Sequence, residues 1–300
     1  MTSTLIRRLH SKARFVPTCP KPEYDTGCTF CRLPEFPADK QIDMDRNLAS
    51  TKTAPWKHVL ILSHGIKDFN TMPAKIELIP ESLSSNINHL KNGRVSAHHP
   101  ILVSNILLQS HEQIMKAFGV DGTDKNEQLV YLYPDNKVLK FDISKTVQFI
   151  TKYLTPPDHQ LEAVYNPFKV LKQAASSIAS KPVSTEDDTN AFTEYPLKKN
   201  LVLICGHTQR DVRCGKLAPL LQDEFSRVLE NENLDKETEL GLISHIGGHA
   251  YAGNVIYFPK DTQQNHGIWY GRVFPEKVQG IVKETMLNGN IIQDLYRGDV

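Results

Sequence analysis

Two cysteines and two histidines in the last third of the 300-residue chain constrain its structure more than any other feature. Cys205 and Cys214 lie in the segment CGHTQRDVRCG, and His245 and His249 lie in HIGGHAYAGN, so the spacing is C-x8-C followed by H-x3-H. Thiolates and imidazoles are the donors that a 2Fe-2S cluster or a zinc ion takes from a protein. We interpret the four residues as an iron–sulfur site, and zinc is the competing interpretation.

Each pair is predicted to follow a strand. The apolar run KNLVLIC predicts a buried strand that ends at Cys205, a polar loop leads from it to Cys214, and a helix is expected from about Lys216. A strand ending near Ile246 precedes or overlaps the histidine segment, in which two adjacent glycines disfavour a continued helix. The histidines are therefore expected to converge from a loop.

Other types of site fit these residues less well. A zinc finger needs its cysteines about two to four residues apart, and HIGGH lacks the glutamate of the H-E-x-x-H metalloproteases. Asp211 stands where a C-x5-R phosphatase loop would need arginine. A nucleophilic Cys205 with His207 as its base stays open, but it leaves Cys214 and the later histidines unexplained.

The segments CGHTQRDVRCG, HIGGHAYAGNVIYFP and IWYGRVFPEKV resemble the sucrase/ferredoxin-like family of thioredoxin-like 2Fe-2S proteins, most clearly over residues 198–298. The resemblance implies a 2Fe-2S cluster as cofactor, with Cys205 and Cys214 on one iron and His245 and His249 on the other. Such a cluster would transfer one electron at a time, and because no G-x-G-x-x-G follows a strand, we expect the electrons to come from a protein redox partner or a small reductant. The resemblance further implies a part in mitochondrial redox homeostasis. We therefore expect an electron-transfer protein rather than a free-standing enzyme.

The loop between the two cysteines carries further candidate residues. His207, Arg210 and Arg213 are predicted to hydrogen-bond to the cluster sulfurs or to form a docking edge for the redox partner. His207 is also a reserve ligand, because it lies between the two thiols in sequence.

Three cysteines lie near the start of the chain. Cys19, Cys28 and Cys31 occur in CPKPEYDTGCTFC, and we interpret them as redox-labile thiols or a disulfide because no fourth zinc ligand is evident. Two alternative functions follow from the whole set of cysteines. One is a thiol–disulfide oxidoreductase that uses the N-terminal cysteines with the cluster as a sensor, and the other is a structural zinc-binding protein.

The pattern of apolar residues predicts two similar series of elements. The C-terminal series is β-α-β-β-β-α, and strands and helices over residues 58–154 repeat it. We predict an α/β fold with two thioredoxin-like halves, each a βαβ unit plus a β-hairpin and helix, of which the C-terminal one is a thioredoxin-like ferredoxin domain. In the N-terminal half, Ser63 stands roughly where Cys205 would.

The predicted organisation has four parts. Residues 1–17 are expected to be a mitochondrial presequence, 18–155 a degenerate thioredoxin-like domain with a cysteine-containing leader, 156–197 a linker or insertion, and 198–300 the 2Fe-2S domain. The segment MTSTLIRRLHSKARF is basic and free of acidic residues, which is typical of mitochondrial transit peptides. The predicted location is therefore mitochondrial, in the matrix or the intermembrane space.

Composition excludes several classes of function. With 35 basic and 34 acidic residues the net charge is +1, so nothing indicates a nucleic acid partner. No apolar run approaches the ~18 residues of a membrane span. The five cysteines are too few for a disulfide-built secreted scaffold and fit metal or redox use.

Overall fold

The computed structural model describes residues 14–53, 55–62, 68–92, 94–95, 98–120, 124–156, 191–260 and 267–299. Most of the predicted presequence, Ser63 and most of the predicted linker therefore lie outside the described residues. The described strands are β1 (Phe15–Val16), β2 (Lys57–Leu62), β3 (Ile101–Leu108), β4 (Glu127–Tyr133), β5 (Lys137–Asp142), β6 (Phe192–Pro196), β7 (Asn200–Cys205), β8 (Thr238–Ile243), β9 (Val255–Phe258), β10 (Ile268–Tyr270), β11 (Ile291–Ile292) and β12 (Tyr296–Asp299). The described α-helices are α1 (Leu83–Leu90), α2 (His111–Ala117), α3 (Thr146–Tyr153), α4 (Val212–Asn231) and α5 (Pro275–Ile281), the last continuing as a π-helical turn over Val282–Leu287.

The predicted strands and helices are present, but several of their ends differ from the prediction. The helix expected from Lys216 begins at Val212, because the side chain of Asp211 accepts a hydrogen bond from the Arg213 N–H and caps the first turn. The strand expected to end near Ile246 ends at Ile243. Strand β6 was not predicted; it lies inside the segment interpreted as a linker and pairs with β5.

Within the described residues, ten strands form one mixed sheet in the order β12-β10-β9-β7-β8-β3-β2-β4-β5-β6. The pairs β2–β3 and β7–β8 are parallel, and the other neighbouring strands are antiparallel. The order β3-β2-β4-β5 thus recurs as β8-β7-β9-β10. The two series meet where β3 pairs with β8, with Ile106 opposite Ile243.

The sheet is strongly curled. Tyr133 in β4 stacks on Phe258 in β9 with ring centroids 3.9 Å apart, and His58 in β2 lies 6.1 Å from the same ring. Strands β3, β8 and β7 separate β2 from β9 in the sheet. In a flat sheet that separation would be about 19 Å, since neighbouring strands lie about 4.8 Å apart. The two series of strands therefore face each other across a shared core.

Helix α4 packs on β7 and β8 through an apolar stripe. Leu217, Leu221, Phe225 and Val228 recur at helical spacing, and each is at most 1% exposed. Burial of side chains of this size contributes about 1.5–3 kcal/mol each. Because Cys214 lies in the first turn of α4, this packing fixes the position of its thiol.

Candidate metal centre

Cys205 is the last residue of β7. Its side chain is 2% exposed, and its backbone N–H donates to the Asn254 carbonyl at 2.9 Å, which ties the end of β7 to the loop before β9. The strand is wholly apolar from Leu201 to Ile204 and is buried along that length. The thiol is therefore placed by a strand in the middle of the sheet and not by a loose loop.

Cys214 reaches the same position from the start of α4, and its side chain is 1% exposed. The intervening loop folds back so closely that a Cβ on Gly215 would lie 2.9 Å from the Cα of Thr208 and 2.0 Å from its hydroxyl oxygen. Only glycine permits this approach of loop and helix. The eight residues between the cysteines therefore form a compact turn that brings the two thiols together.

The two thiols are coupled to each other. A hydrogen bond with the Cys214 thiol, assisted by His245 and the backbone N–H of His207, holds the pKa of Cys205 well below its usual value despite burial. The same hydrogen bond, together with burial, raises the pKa of Cys214 well above its usual value. Neither cysteine is in a disulfide. The lowered pKa of Cys205 favours its thiolate, the form that binds metal.

The histidines lie on the loop after β8. Gly247 (φ +80°) and Gly248 (φ +71°) turn the chain through the left-handed region into a short 3-10 turn over His249–Tyr251. This turn brings the rings of His245 and His249 together, with centroids 5.4 Å apart and planes inclined at 37°. The prediction that the histidines converge from a loop is confirmed.

The two histidines differ in their surroundings. His245 is partly buried against Cys205, and among the described residues its Nδ1 has no hydrogen-bond partner although that atom is buried. His249 is the exposed member of the pair. Desolvation lowers the pKa of His249, so its ring is neutral near pH 7 and able to donate a lone pair to a metal. A buried nitrogen without a partner beside a thiolate fits a metal ligand.

His207 is bound on both sides of its ring. Its Nδ1 accepts the backbone N–H of His245 at 3.1 Å, and its Nε2 donates to the Pro73 carbonyl at 3.0 Å. The ring is only 1% exposed. With both nitrogens engaged, His207 orients the loop that carries His245, and only its backbone N–H points at the Cys205 sulfur.

The two arginines between Cys205 and Cys214 differ in exposure. Arg210 is exposed, whereas Arg213 is 7% exposed and forms a two-pronged pair with Asp211, with both N···O distances 2.9 Å. A third nitrogen of Arg213 donates to the Gln41 carbonyl at 2.7 Å. Both arginines were predicted to hydrogen-bond to the cluster sulfurs or to form a docking edge. Arg210 faces solvent, whereas Arg213 anchors the segment around Gln41 to α4.

Arg297, in β12, is a residue of this site that the sequence did not indicate. Its guanidinium is fully buried and donates to the Asn254 side-chain oxygen at 2.8 Å and the Thr51 carbonyl at 2.8 Å. It lies under the glycine turn, since a Cβ on Gly248 would be 2.3 Å from its Nη2. Every acceptor found for it among the described residues is neutral, and burial lowers its pKa to about 10.

Residues of the candidate metal centre are among those whose negative charge raises the pKa of Arg297. Electrostatic interactions with Cys205, Tyr251 and Cys214 partly offset the lowering of its pKa by burial. Burial of a cation is unfavourable unless nearby groups offset it, and the Arg297 guanidinium lies 5.9 Å from the ring centroids of Tyr251 and Trp269 as well as near the two cysteines. The arginine therefore supplies a positive charge beside the two thiols. Its only sequence signal is a lone arginine in a short strand, more than 80 residues from Cys214.

Within the described ranges, no three Cys, His, Asp or Glu side chains surround a single point closely enough to hold one metal ion. The four predicted ligands instead meet as two neighbouring pairs, two sulfurs and two imidazoles. Two thiolates and two neutral imidazoles are a donor set suited to a 2Fe-2S cluster.

The three N-terminal cysteines do not form one group. Cys28 and Cys31 are adjacent, with their sulfurs 3.1 Å apart, and Cys28 contacts the Leu220 carbonyl of α4. Cys19 packs against α5 instead, and its thiol donates to the Lys277 carbonyl at 3.4 Å. Cys19, Cys28 and Cys31 are all outside disulfides, and among the described residues Cys19 contacts α5 whereas Cys28 contacts α4.

Comparison with known proteins gives extended similarity to curated relatives. The chain is 49% identical over 295 residues to altered inheritance of mitochondria protein 32 of Meyerozyma guilliermondii, covering 98% of both chains. It is 47% identical to the protein of the same name from Clavispora lusitaniae, covering 98% of this chain and 99% of that protein.

Among solved structures, a thioredoxin-like 2Fe-2S ferredoxin from Aquifex aeolicus aligns with 34% of this chain and 93% of its own, at 20% identity and a TM-score of 0.27. The family model described as sucrase/ferredoxin-like matches residues 48–298, which include every residue of the candidate metal centre. The chain therefore belongs to the sucrase/ferredoxin-like family.

Proposed function

We propose that the protein is an electron-transfer protein with a 2Fe-2S cluster held by two cysteines and two histidines. Cys205 and Cys214 would bind one iron, and His245 and His249 would bind the other. When bound, the cluster supplies a centre that accepts and releases one electron at a time.

The observation that carries this proposal is the meeting of the two thiols from β7 and α4 beside an imidazole and a buried arginine. Cys205 and Cys214 are both at most 2% exposed, and their thiols hydrogen-bond to each other. Buried thiols packed as small apolar groups would need no cation, whereas Arg297 is fully buried with neutral acceptors. Negative charge at these sulfurs would offset that positive charge.

The chain's own residues would have distinct parts in this function. His207 fixes the backbone of His245, and its own backbone N–H stabilises negative charge on the Cys205 sulfur. Arg297 stabilises the more negative state of the thiolate side. The exposed His249 provides an imidazole N–H that can exchange its proton with solvent.

The architecture proposed with this function is a pair of thioredoxin-like halves, with the cluster in residues 198–300. The recurrence of one strand order in β2–β5 and β7–β10 supports the duplication. The ligands all come from the second copy. In the first copy, the residue that follows β2 is Ser63, so that copy would serve packing and partner docking.

We further propose a mitochondrial location, in the matrix or the intermembrane space, with a part in redox homeostasis. The relatives named altered inheritance of mitochondria protein 32 and the basic N-terminal segment support it. Phe15–Val16 pair in parallel with Ile291–Ile292, so a presequence that ended at residue 17 would remove a strand from the fold. We therefore expect any cleavage to fall before Phe15.

The proposal is tested by purifying the full chain without air. We expect a coloured protein that absorbs between about 400 and 600 nm and contains two irons and two sulfides per chain. The variants H245A and H249A should lose or alter the paramagnetic signal of the reduced protein. The matched control H89A changes an exposed histidine of α1 and should leave the signal unchanged.

Two results would contradict the proposal. One is a colourless protein with a single zinc ion per chain, which would favour the structural zinc alternative because zinc has no d–d or redox transitions. The other is an unchanged signal in both H245A and H249A.

A further inference from the structure

The segment from Glu23 to Cys31 is held against α4 and α5 by side chains other than cysteine. Glu224 of α4 is fully buried and accepts hydrogen bonds from Thr26 and, at 2.8 Å, from Thr29. Gln279 of α5 donates to the Tyr24 carbonyl at 2.7 Å. The backbone of this segment is therefore fixed without help from any sulfur.

On this fixed segment, Cys28 and Cys31 form a tight turn. The Cys31 N–H donates to the Cys28 carbonyl at 3.0 Å, and Gly27 precedes the turn with φ +85°. The turn places the two sulfurs 3.1 Å apart, although the thiols are not bonded. A disulfide needs a separation of about 2.05 Å, so closing the bond requires a shift of only about 1 Å.

The two thiols differ in access. Cys28 is 5% exposed and contacts the Leu220 carbonyl, while Cys31 is partly exposed beside the exposed ring of Phe30. Burial, followed by the hydrogen bond with Cys31, raises the pKa of Cys28 to about 12. One thiol can therefore meet an incoming disulfide while the other stays protonated beneath it.

The described neighbours do not make this turn a metal site. Cys19 is engaged with the Lys277 carbonyl on α5 and does not join the pair. Glu224 is the carboxylate bound to the turn, and both of its oxygens accept threonine hydroxyls. Two sulfurs in a C-x2-C turn, with one accessible, are the arrangement of a dithiol that exchanges with disulfides.

We propose that Cys28 and Cys31 form a reversible dithiol–disulfide site whose co-substrate is a disulfide of the glutathione class. The thiolate of Cys31 attacks one sulfur of the disulfide, releases one thiol and forms a mixed disulfide. Cys28 then attacks the Cys31 sulfur, its proton goes to the departing thiolate, and the second thiol leaves. Two protein thiols and one disulfide thus give one protein disulfide and two thiols, with two electrons passed to the co-substrate.

This site goes beyond the proposed cluster function and does not depend on it. Cys28 contacts α4 at Leu220, six residues after Cys214, which corresponds to about 9 Å along the helix. The two sites therefore share a helix but no ligand.

The test equilibrates the full-length protein with glutathione and glutathione disulfide at ratios from fully reduced to fully oxidised. Free thiols are then trapped with a maleimide under denaturing conditions and located by peptide mass spectrometry. We expect Cys28 and Cys31 to lose reactivity together in one two-electron step. Cys19 should stay alkylated at ratios where the pair is oxidised.

Single variants test the order of attack. In C28S the accessible Cys31 should accumulate as a mixed disulfide with glutathione, whereas in C31S the buried Cys28 should remain a free thiol. C19S is the matched control and should oxidise like the natural protein. Circular dichroism of each variant establishes that it is folded.

The proposal is overturned if Cys28 and Cys31 remain alkylated in the most oxidising buffer. It is also overturned if C31S, and not C28S, accumulates the mixed disulfide. The variants C205S and C214S separate this inference from the cluster: they should lose the visible absorbance, yet oxidise the Cys28–Cys31 pair at the same glutathione ratio.

Discussion

Arg297 and the two thiols of the candidate metal centre place opposite charges in one buried region. Desolvation of the guanidinium is opposed by Cys205 and Cys214, and its hydrogen bonds to Thr51 and Asn254 hold it in position. The arginine therefore has two separable effects. It closes the fold around the glycine turn, and in the proposed function it would favour the more negative of two redox states.

We predict that R297Q lowers the reduction potential of the bound cluster. Removing one positive charge disfavours the reduced form by about 1–2 kcal/mol, which corresponds to roughly 40–90 mV for a one-electron couple. R297K retains the positive charge, and its reduction potential should lie between those of the natural protein and R297Q. Voltammetry measures the reduction potentials. Thermal unfolding of the cluster-free variants shows whether a substitution also changes the stability of the fold. Equal potentials in the natural protein and R297Q would contradict the assigned role.

Gly215 is a second residue whose identity follows from contact distances. In G215A the new Cβ meets the backbone of Thr208 at 2.9 Å, and we predict a loss of about 1–3 kcal/mol in the free energy of unfolding. The matched variant G206A meets only side chains, at 3.2–3.3 Å, and should cost less. Urea unfolding measures the loss in the free energy of unfolding for both variants. A loss in G206A equal to or larger than that in G215A would contradict the prediction.

We predict that the reduction potential falls as pH rises between about pH 6 and 10. Each ligand imidazole keeps one N–H, and that proton becomes more acidic when the metal is oxidised, so reduction is accompanied by proton uptake. The exposed position of His249 lets this exchange proceed with solvent. Voltammetry against pH measures the slope. H249C, which removes one N–H, should have a weaker slope, and a flat profile for the natural protein would contradict histidine ligation.

At the scale of elements, the first turn of α4 is where local and long-range interactions meet. Asp211 caps the helix, pairs with Arg213 and through it reaches the Gln41 carbonyl of the leader segment. Burial raises the pKa of Asp211, but the hydrogen bonds from Arg213 outweigh it, and the pKa is lowered overall. This turn therefore couples the position of Cys214 to the packing of residues far away in sequence.

We predict that D211N lowers the free energy of unfolding by about 3 kcal/mol. Asparagine still caps the helix, but the buried Arg213 loses its counter-charge. Since the folded pKa of Asp211 is depressed, its stabilising effect is present above the unfolded value of about 3.9 and is lost as pH falls through the folded value. Unfolding measured from pH 7 down to pH 3 should show this loss in the natural protein and a smaller one in D211N.

The elements were largely predictable, because each is encoded by nearby residues. The strand before Cys205 and helix α4 carry the apolar periodicity that predicts them. The start of α4 was placed too late because its apolar stripe begins at Leu217, whereas the turn before it is fixed by the Asp211 cap. The predicted ligands rest on their spacing and on the family resemblance. Their proximity to Arg297 could not be predicted, because no local pattern brings β12 back to the site.

At the scale of the whole molecule, one curled sheet joins both series of strands. Ile106 of β3 and Ile243 of β8 lie at the junction, and Thr51, from before the first series, binds Arg297 of the second. The predicted division into a domain over 18–155 and another over 198–300 thus crosses a continuous ladder of hydrogen bonds. The predicted ligands lie in the second series, and part of the support for the candidate centre comes from Thr51, before the first series, and from Pro73, within it.

We therefore predict that residues 198–300 expressed alone are poorly soluble. The fragment would expose the edge of β8 that β3 covers, together with the apolar face that meets β4, and open edges favour association between chains. Light scattering at increasing concentration should reveal oligomers that the full chain does not form. A monomeric fragment that binds iron like the full chain would contradict this dependence.

The place of Arg297 in the chain has a consequence for the order of biosynthesis. All four proposed ligands are translated before this arginine, which follows His249 by 48 residues. At about 5–20 residues per second, the ligands exist for roughly 2–10 s before the arginine is made. During that interval the nascent polypeptide carries the two thiols without the arginine that lies beside them in the folded protein, so the positive charge enters the site last.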